Sequence, residues 1–224
     1  MPASVVVIVP VRRFEDGKTR LSDVLTPAQR TRLSRLCATA VLQASAAFVR
    51  CVVSDDAEVC TWARELGAVP IPVMTRGLNA SLTEALPTVV ADVGPEFLAI
   101  VHADLPLVDG LEDLIRRAAT EDRPLIVTDL HGDGTNVLVA RASHIESVGF
   151  HYGPGSASRH VAEFARVGLQ CTVITHDSLS LDLDTPADLD HPLIQPIIER
   201  IVRNPTSDPS DSSDRDRSFD PRTS

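Results

Sequence analysis

The chain has 224 residues, 43% hydrophobic and 23% charged, with a formal net charge of −10 from 21 Lys+Arg against 31 Asp+Glu. Those fractions suit a globular chain, and the acidic balance lacks the basic footprint of a nucleic-acid or anionic-membrane binder. No apolar run approaches the roughly 20 residues of a membrane-spanning helix, so neither nucleic acid nor membrane is an expected partner.

The first apolar run, Val5–Val11, has no preceding basic region and leads into Arg12-Arg13, so it reads as a buried strand and not as a leader. Further strand-like runs are Val49–Ser54, Val69–Val73, Phe97–His102, Leu125–Thr128, Asn136–Ala140 and Cys171–Thr175. Helix-like segments separate the early ones: Pro27–Ala47, Ala57–Leu66, Ala80–Asp92 and Leu111–Ala119. Leu33, Leu36, Ala40 and Val41 recur at helical spacing, and Thr26-Pro27 supplies an N-cap with proline at the first helical position. The early strands are continuous Val/Ile runs, as a parallel sheet covered on both faces requires. Successive β-α-β units predict an α/β fold, a three-layer, doubly wound, mostly parallel sheet with right-handed crossovers.

Beyond Leu130 the alternation loosens. Two strand-like runs follow each other across the loop His131–Thr135; then come a helix over Ser156–Gly168, a strand, the Asp-rich segment Leu181–Leu189 and a last apolar helix, Pro192–Val202. These read as elaborations of one domain over residues 1–203. Residues 204–224 are serine, aspartate, arginine and proline with Phe219 as the only large apolar residue, and predict a disordered tail. Cys37, Cys51, Cys60 and Cys171 show no metal-ligand spacing and read as small core residues of a cytoplasmic protein.

Ligands of open α/β sheets sit at the carboxyl ends of the strands, and polar residues gather there. The loop after the first strand carries Arg12, Arg13, Lys18 and Arg20, four cations within nine residues, without the spacing of a P-loop. It is either a triphosphate cradle or a solvated loop. Asp104 follows an apolar strand and is either a Mg²⁺ ligand or the cap of a turn before Pro106. If Leu181–Asp184 is extended, Asp182 and Asp184 share a face, and two adjacent carboxylates call for a cation. Asp184 or Thr185 also reads as a helix cap, with Asp188 in the first turn as a structural residue.

Gly132–Asn136 and Gly153–Ser156 are glycine-bearing turns whose backbone N–H groups, Thr135 hydroxyl, Asn136 amide and helix start suit an anion, or are plain turns. Gly77-Leu78-Asn79 offers a base or ribose contact, or a helix start. The seven histidines read mostly as surface or turn residues. No nucleophile motif is present, so cations, carboxylates and phosphate loops together point to metal-assisted phosphoryl or nucleotidyl transfer.

The ordered set Val9-Pro10-Val11, Gly17–Ser22, Gly77-Leu78-Asn79, Asp104–Leu107, Gly132–Asn136, Gly153…Ser156…Arg159-His160 and Asp182–Leu189 resembles one family, over Val5 to about Leu189. It is that of the 2-phospho-L-lactate / phosphoenolpyruvate / 3-phosphoglycerate guanylyltransferases of deazaflavin coenzyme F-420 biosynthesis. The resemblance implies a glycosyltransferase-A-like, Rossmann-related nucleotidyltransferase. It implies GTP bound by the first loop through Lys18 and Arg20, with Asn79 at the nucleotide. Mg²⁺ would sit on Asp104, Asp182 and Asp184, with Lys18 and Asp104 catalytic. A small phosphorylated carboxylic acid would be held by Arg12, Thr135, Gly153 and Ser156. Arg12 stands where the family usually has lysine, keeping the charge and changing its geometry. A molybdenum-cofactor or sugar-nucleotide enzyme of the same fold, and a non-catalytic nucleotide-binding module, are the competing readings. Oligomeric state stays open, a homodimer included.

Overall fold

Along each strand successive side chains point to opposite faces, so a sheet with helices on both sides needs apolar residues at every position. The computed structural model, which describes residues 3–203, meets that requirement; the expected tail, 204–224, lies outside the described residues. Val7, Val9, Ala99 and Val101 join a core beneath α1 (Pro27–Ala44), α2 (Ala57–Glu65) and α4 (Leu111–Glu121). Their neighbours Val6, Ile8, Leu98 and Ile100 join a second core beneath α3 (Leu78–Val93), α5 (Ala142–Val148) and α6 (Ser156–Arg166). The result is a three-layer α/β fold.

The strands are β1 (Val5–Pro10), β2 (Val49–Ser54), β3 (Val69–Pro72), β4 (Phe97–Val101), β5 (Leu125–Thr128), β6 (Thr135–Arg141) and β7 (Thr172–Ile174), one for each run expected from sequence. They form one sheet in the order β3-β2-β1-β4-β6-β5-β7. Only β6 runs antiparallel, to both β4 and β5, among the described strands. The chain winds outward from β1 to β2 and β3, then returns to place β4 on the other side of β1. The order therefore reverses between β1 and β4, and the loops leaving their carboxyl ends flank a crevice at that switch point.

Helix starts follow local chemistry. Thr26 caps α1 reciprocally with Gln29, as a capping box. Helix α3 begins two residues before the expected start, with Gly77 at φ +98 as its cap, so Asn79 lies in its first turn. Helix α5 is absent from the sequence reading. A last helix, α7 (Gln195–Arg203), closes the described chain. Cys37, Cys51 and Cys60 are buried and all four cysteines are free thiols.

Candidate active site

The loop after β1 lies close against α1 at Gly17. A Cβ added to Gly17 would lie 2.5 Å from the Ser34 hydroxyl oxygen of α1, so the loop backbone lies directly on that helix. Lys18 follows in the left-handed region, at φ +57, which costs a non-glycine residue about 1 kcal/mol or more and marks a functional constraint. The twist drives its side chain inward, where only 4% stays exposed. Its Nζ meets Asp104 Oδ2 at 3.3 Å and Asp184 Oδ1 at 3.6 Å. Arg20, exposed at the rim, approaches Asp184 Oδ2 at 3.9 Å.

Asp104 arrives from the loop after β4, and Asp182 and Asp184 from an extended segment far along the chain. Period two sorts that segment: Leu181 and Leu183 are buried with Leu21, Leu33 and Ile201, while the intervening aspartates turn to the crevice. One ligand oxygen from each of Asp104, Asp182 and Asp184 lies within 4.8 Å of the others. The cap question also closes. Thr185 caps the following short turn, and Asp188 receives N–H bonds from Asp184 and Thr185, so Asp188 is structural and the Asp184 carboxylate stays free for the cluster.

Charge is tightly balanced here. Burial opposes the Lys18 ammonium, yet Asp104 and Asp184 outweigh it and hold its pKa above the ordinary lysine value. Burial also opposes the Asp104 carboxylate, but Lys18 and His102 keep its pKa low. Asp182 has no such partner: burial first, then Asp104 and Asp184, raise its pKa to about 7. Asp104 Oδ1 is buried without a hydrogen-bond partner. A three-carboxylate set with one unpartnered buried oxygen and one over-repelled carboxyl fits a hard divalent cation.

At the start of β6, Thr135 is brought together with Ser156 of α6 as expected, with Ser156 Oγ 3.1 Å from Thr135 Oγ1. Both are nearly fully buried. His160 Nδ1 lies 3.1 Å from the Thr135 hydroxyl, and His160 Nε2 accepts the His151 N–H at 3.1 Å. An Nε2 that accepts carries no proton, so the neutral ring donates from Nδ1 to Thr135. Burial, then His151 and Arg159, lower the His160 pKa to about 4. Gly153 sits at φ +115, a conformation few side-chain-bearing residues adopt.

The two glycine turns need correction. The Gly132–Asn136 loop does not present open donors: Asp129 accepts the Asp133 and Gly134 N–H groups at 2.9 Å each, and the Asn136 amide donates to the Leu179 carbonyl. The start of α6 is partly occupied too, since Asp133 accepts from Gly155 N and Ala157 N. Asn79 has both ends of its amide on the backbone of Tyr152, at 3.0 and 2.8 Å, which leaves one Nδ2 hydrogen for another partner. Arg12 is exposed just past β1 and forms no hydrogen bond or ion pair among the described residues.

His102, Tyr152 and His160 carry no role of their own in the sequence, yet they line up in the structure. The His102 and Tyr152 rings lie 5.1 Å apart, and the Tyr152 and His160 rings 4.9 Å. His160 is fully buried, not a surface residue. The available signals were position: His102 ends an apolar strand two residues before Asp104, and Tyr152, the chain's single tyrosine, precedes Gly153.

Comparison with known proteins identifies the family of the chain. The family model described as "Guanylyl transferase CofC like" matches residues 5–196. The chain belongs to this family. Family relatives include the phosphoenolpyruvate guanylyltransferase of Chloroflexus aggregans, 32% identical over 80% of this chain and 91% of that protein. The enzyme of that name from Rubrobacter xylanophilus is 34% identical over 83% and 92%. The 2-phospho-L-lactate guanylyltransferase of Methanothermobacter thermautotrophicus is 31% identical over 81% of each chain. Among solved structures, a nucleotide-diphospho-sugar transferase from Desulfovibrio desulfuricans superposes with a TM-score of 0.66 at 16% identity, covering 92% of this chain and all of that one. As a CofC-like guanylyl transferase the chain is an enzyme of the nucleotidyltransferase class, and a molybdenum-cofactor type or a mere binding module is not favoured. Among the described residues no helix is long and apolar enough to cross a membrane.

Proposed function

We propose that this CofC-like enzyme transfers GMP from GTP to a small phosphorylated three-carbon acid in coenzyme F-420 biosynthesis. The acid is phosphoenolpyruvate, 2-phospho-L-lactate or 3-phospho-D-glycerate. The observation that carries the reading is the cluster of Asp104, Asp182 and Asp184 at the switch point, with buried Lys18 against Asp104 and Asp184. Mg²⁺ would be held by the three aspartates and, when bound, neutralises charge on the triphosphate.

The chain's own groups do the rest. Lys18 and Arg20 face the triphosphate and offset negative charge that builds on the α-phosphoryl group and the departing pyrophosphate. Arg12 reaches the acceptor acid with a two-pronged guanidinium. Thr135 and Ser156 contribute by donor count. His160 Nδ1–H and one of the two hydroxyls fill the acceptor positions between them, so one O–H remains for an anionic oxygen of the acid. Gly153 brings backbone close without a side chain. An acceptor phosphate oxygen bonds to the α-phosphorus as its bond to the bridging oxygen breaks, and pyrophosphate leaves.

The test is a competition: purified protein, GTP, Mg²⁺ and all three acids together, with products identified by mass. One guanosine diphospho-acid should dominate, with pyrophosphate released in equal amount. No such product with any acid overturns the reading.

A further inference from the structure

Two neighbouring rings in this site carry polar atoms that no other described residue satisfies. The Tyr152 hydroxyl and His102 Nε2 are both buried without a hydrogen-bond partner. The Tyr152 side chain is no loose surface group: the residue is 5% exposed and its backbone is clamped on both sides by Asn79. A buried hydroxyl left unpaired costs free energy that a phenylalanine at the same place would not, and cores seldom retain such a group without a use for it.

Its position suggests the use. One ring face meets His102, whose Nδ1 lies 4.0 Å from Asp104 Oδ1. Another side meets His160, which bonds the Thr135 hydroxyl. Tyr152 thus stands between the carboxylate cluster and the Thr135–Ser156 pair, and the next residue is Gly153. Asp104 Oδ1, also unpartnered among the described residues, belongs to the same chain of contacts, so three successive neighbours each carry an orphaned polar atom.

We propose that the Tyr152 hydroxyl is a specificity-determining hydrogen-bond donor to an anionic oxygen, carboxylate or phosphate, of the acceptor acid. This rests on the reading of the site as a guanylyltransferase for a phosphorylated acid. The phenol has one hydrogen to give and no acceptor among the described residues, whereas the acid brings several charged oxygens into the crevice. Asn79 acts as a positioning residue, because its amide fixes the backbone from which the ring projects.

Tyr152→Phe keeps the ring and removes only the hydroxyl. Steady-state kinetics with Mg²⁺ and GTP, for each of the three acids, should show the KM of the preferred acid raised about tenfold or more. The KM of GTP should stay within twofold. Melting of the ligand-free variant should occur at or above the wild-type temperature, since an unsatisfied hydroxyl is gone. Acceptor KM unchanged for every acid, with the wild type active, overturns the inference alone. An equal rise in both KM values with a lowered melting temperature also overturns it, because the hydroxyl is then structural. A wild type that neither turns over nor is thermally stabilised by any of the acids overturns the guanylyltransferase reading, and this inference with it.

Discussion

Asp182 shows how much of this site was legible residue by residue. Its alternation with Leu181 and Leu183 is visible in sequence, and so is the conclusion that two carboxylates on one face need a cation. What sequence spacing does not contain is the third carboxylate, because Asp104 reaches the cluster only through the sheet order that sets β4 beside β1. With its pKa raised to about 7 by burial and by Asp104 and Asp184, Asp182 repels more than it binds when no cation is present. Asp182→Asn should therefore melt at or above the wild type without metal, while Mg²⁺ should stabilise only the wild type and turnover should fall by at least 100-fold. Calorimetric scans with and without Mg²⁺, and an activity assay, check all three; a variant that melts lower without metal contradicts the charge argument. His160 gives a pH prediction. Its folded pKa near 4 lies below the unfolded value of about 6.5, so the unfolded chain binds the extra proton between those values. Its contribution is intact above about pH 6.5 and is lost as pH falls towards 4, by roughly 3 kcal/mol in all. His160→Gln should flatten the stability-against-pH curve in that window, measured by denaturant unfolding.

At the scale of elements, the inner strands are legible because a strand buried on both faces leaves a continuous apolar run, whereas the edge strands β3 and β7, exposed at Val69 and Val173, show only as short β-branched runs. Helix α5 is not, because its seven residues follow β6 directly at Arg141, with no glycine, proline or side-chain cap to mark the change. The glycine turns misled for a related reason: composition shows that N–H groups exist there, whereas Asp129 and Asp133, which occupy them, are ordinary loop aspartates in sequence. The first loop follows β1 as the apolar run implies, but its support is not visible in sequence. Gly17 touches Ser34 across an interval no motif describes, and the left-handed Lys18 depends on that seating. Gly17→Ala should shift the loop, raising the GTP KM several-fold and lowering stability by about 1–3 kcal/mol, the usual cost of overpacking. Adding Ser34→Ala removes the clashing oxygen and should recover most of both losses. A double variant no better than Gly17→Ala would place the constraint elsewhere.

Over the whole molecule, the two cores on the sheet faces position β1 and β4, but a third, smaller core seats the metal-side carboxylates. It joins Leu21 and Leu25 of the first loop, Leu33 and Cys37 of α1, Leu181, Leu183 and Leu189 of the aspartate segment, and Ile194 and Ile201 from the chain's last described stretch. This cluster makes the C-terminal helix a buttress of the site, although α7 supplies none of the candidate catalytic residues. A chain ending after Ile194 loses α7 and with it the buried Ile201, leaving the third core open to water. That truncation should lower stability by about 2–5 kcal/mol, the range for emptying a large buried aliphatic site, and should reduce kcat through misplaced Asp182 and Asp184. Ending the chain after Arg203 instead removes only polar sequence with Phe219 as its one large apolar residue, and should leave melting temperature and turnover within error. Thermal scans and steady-state kinetics on the two truncations separate the contributions. If the longer truncation keeps full kcat, the aspartates hold their places without the third core; if the shorter one loses stability, residues 204–224 contribute to the fold.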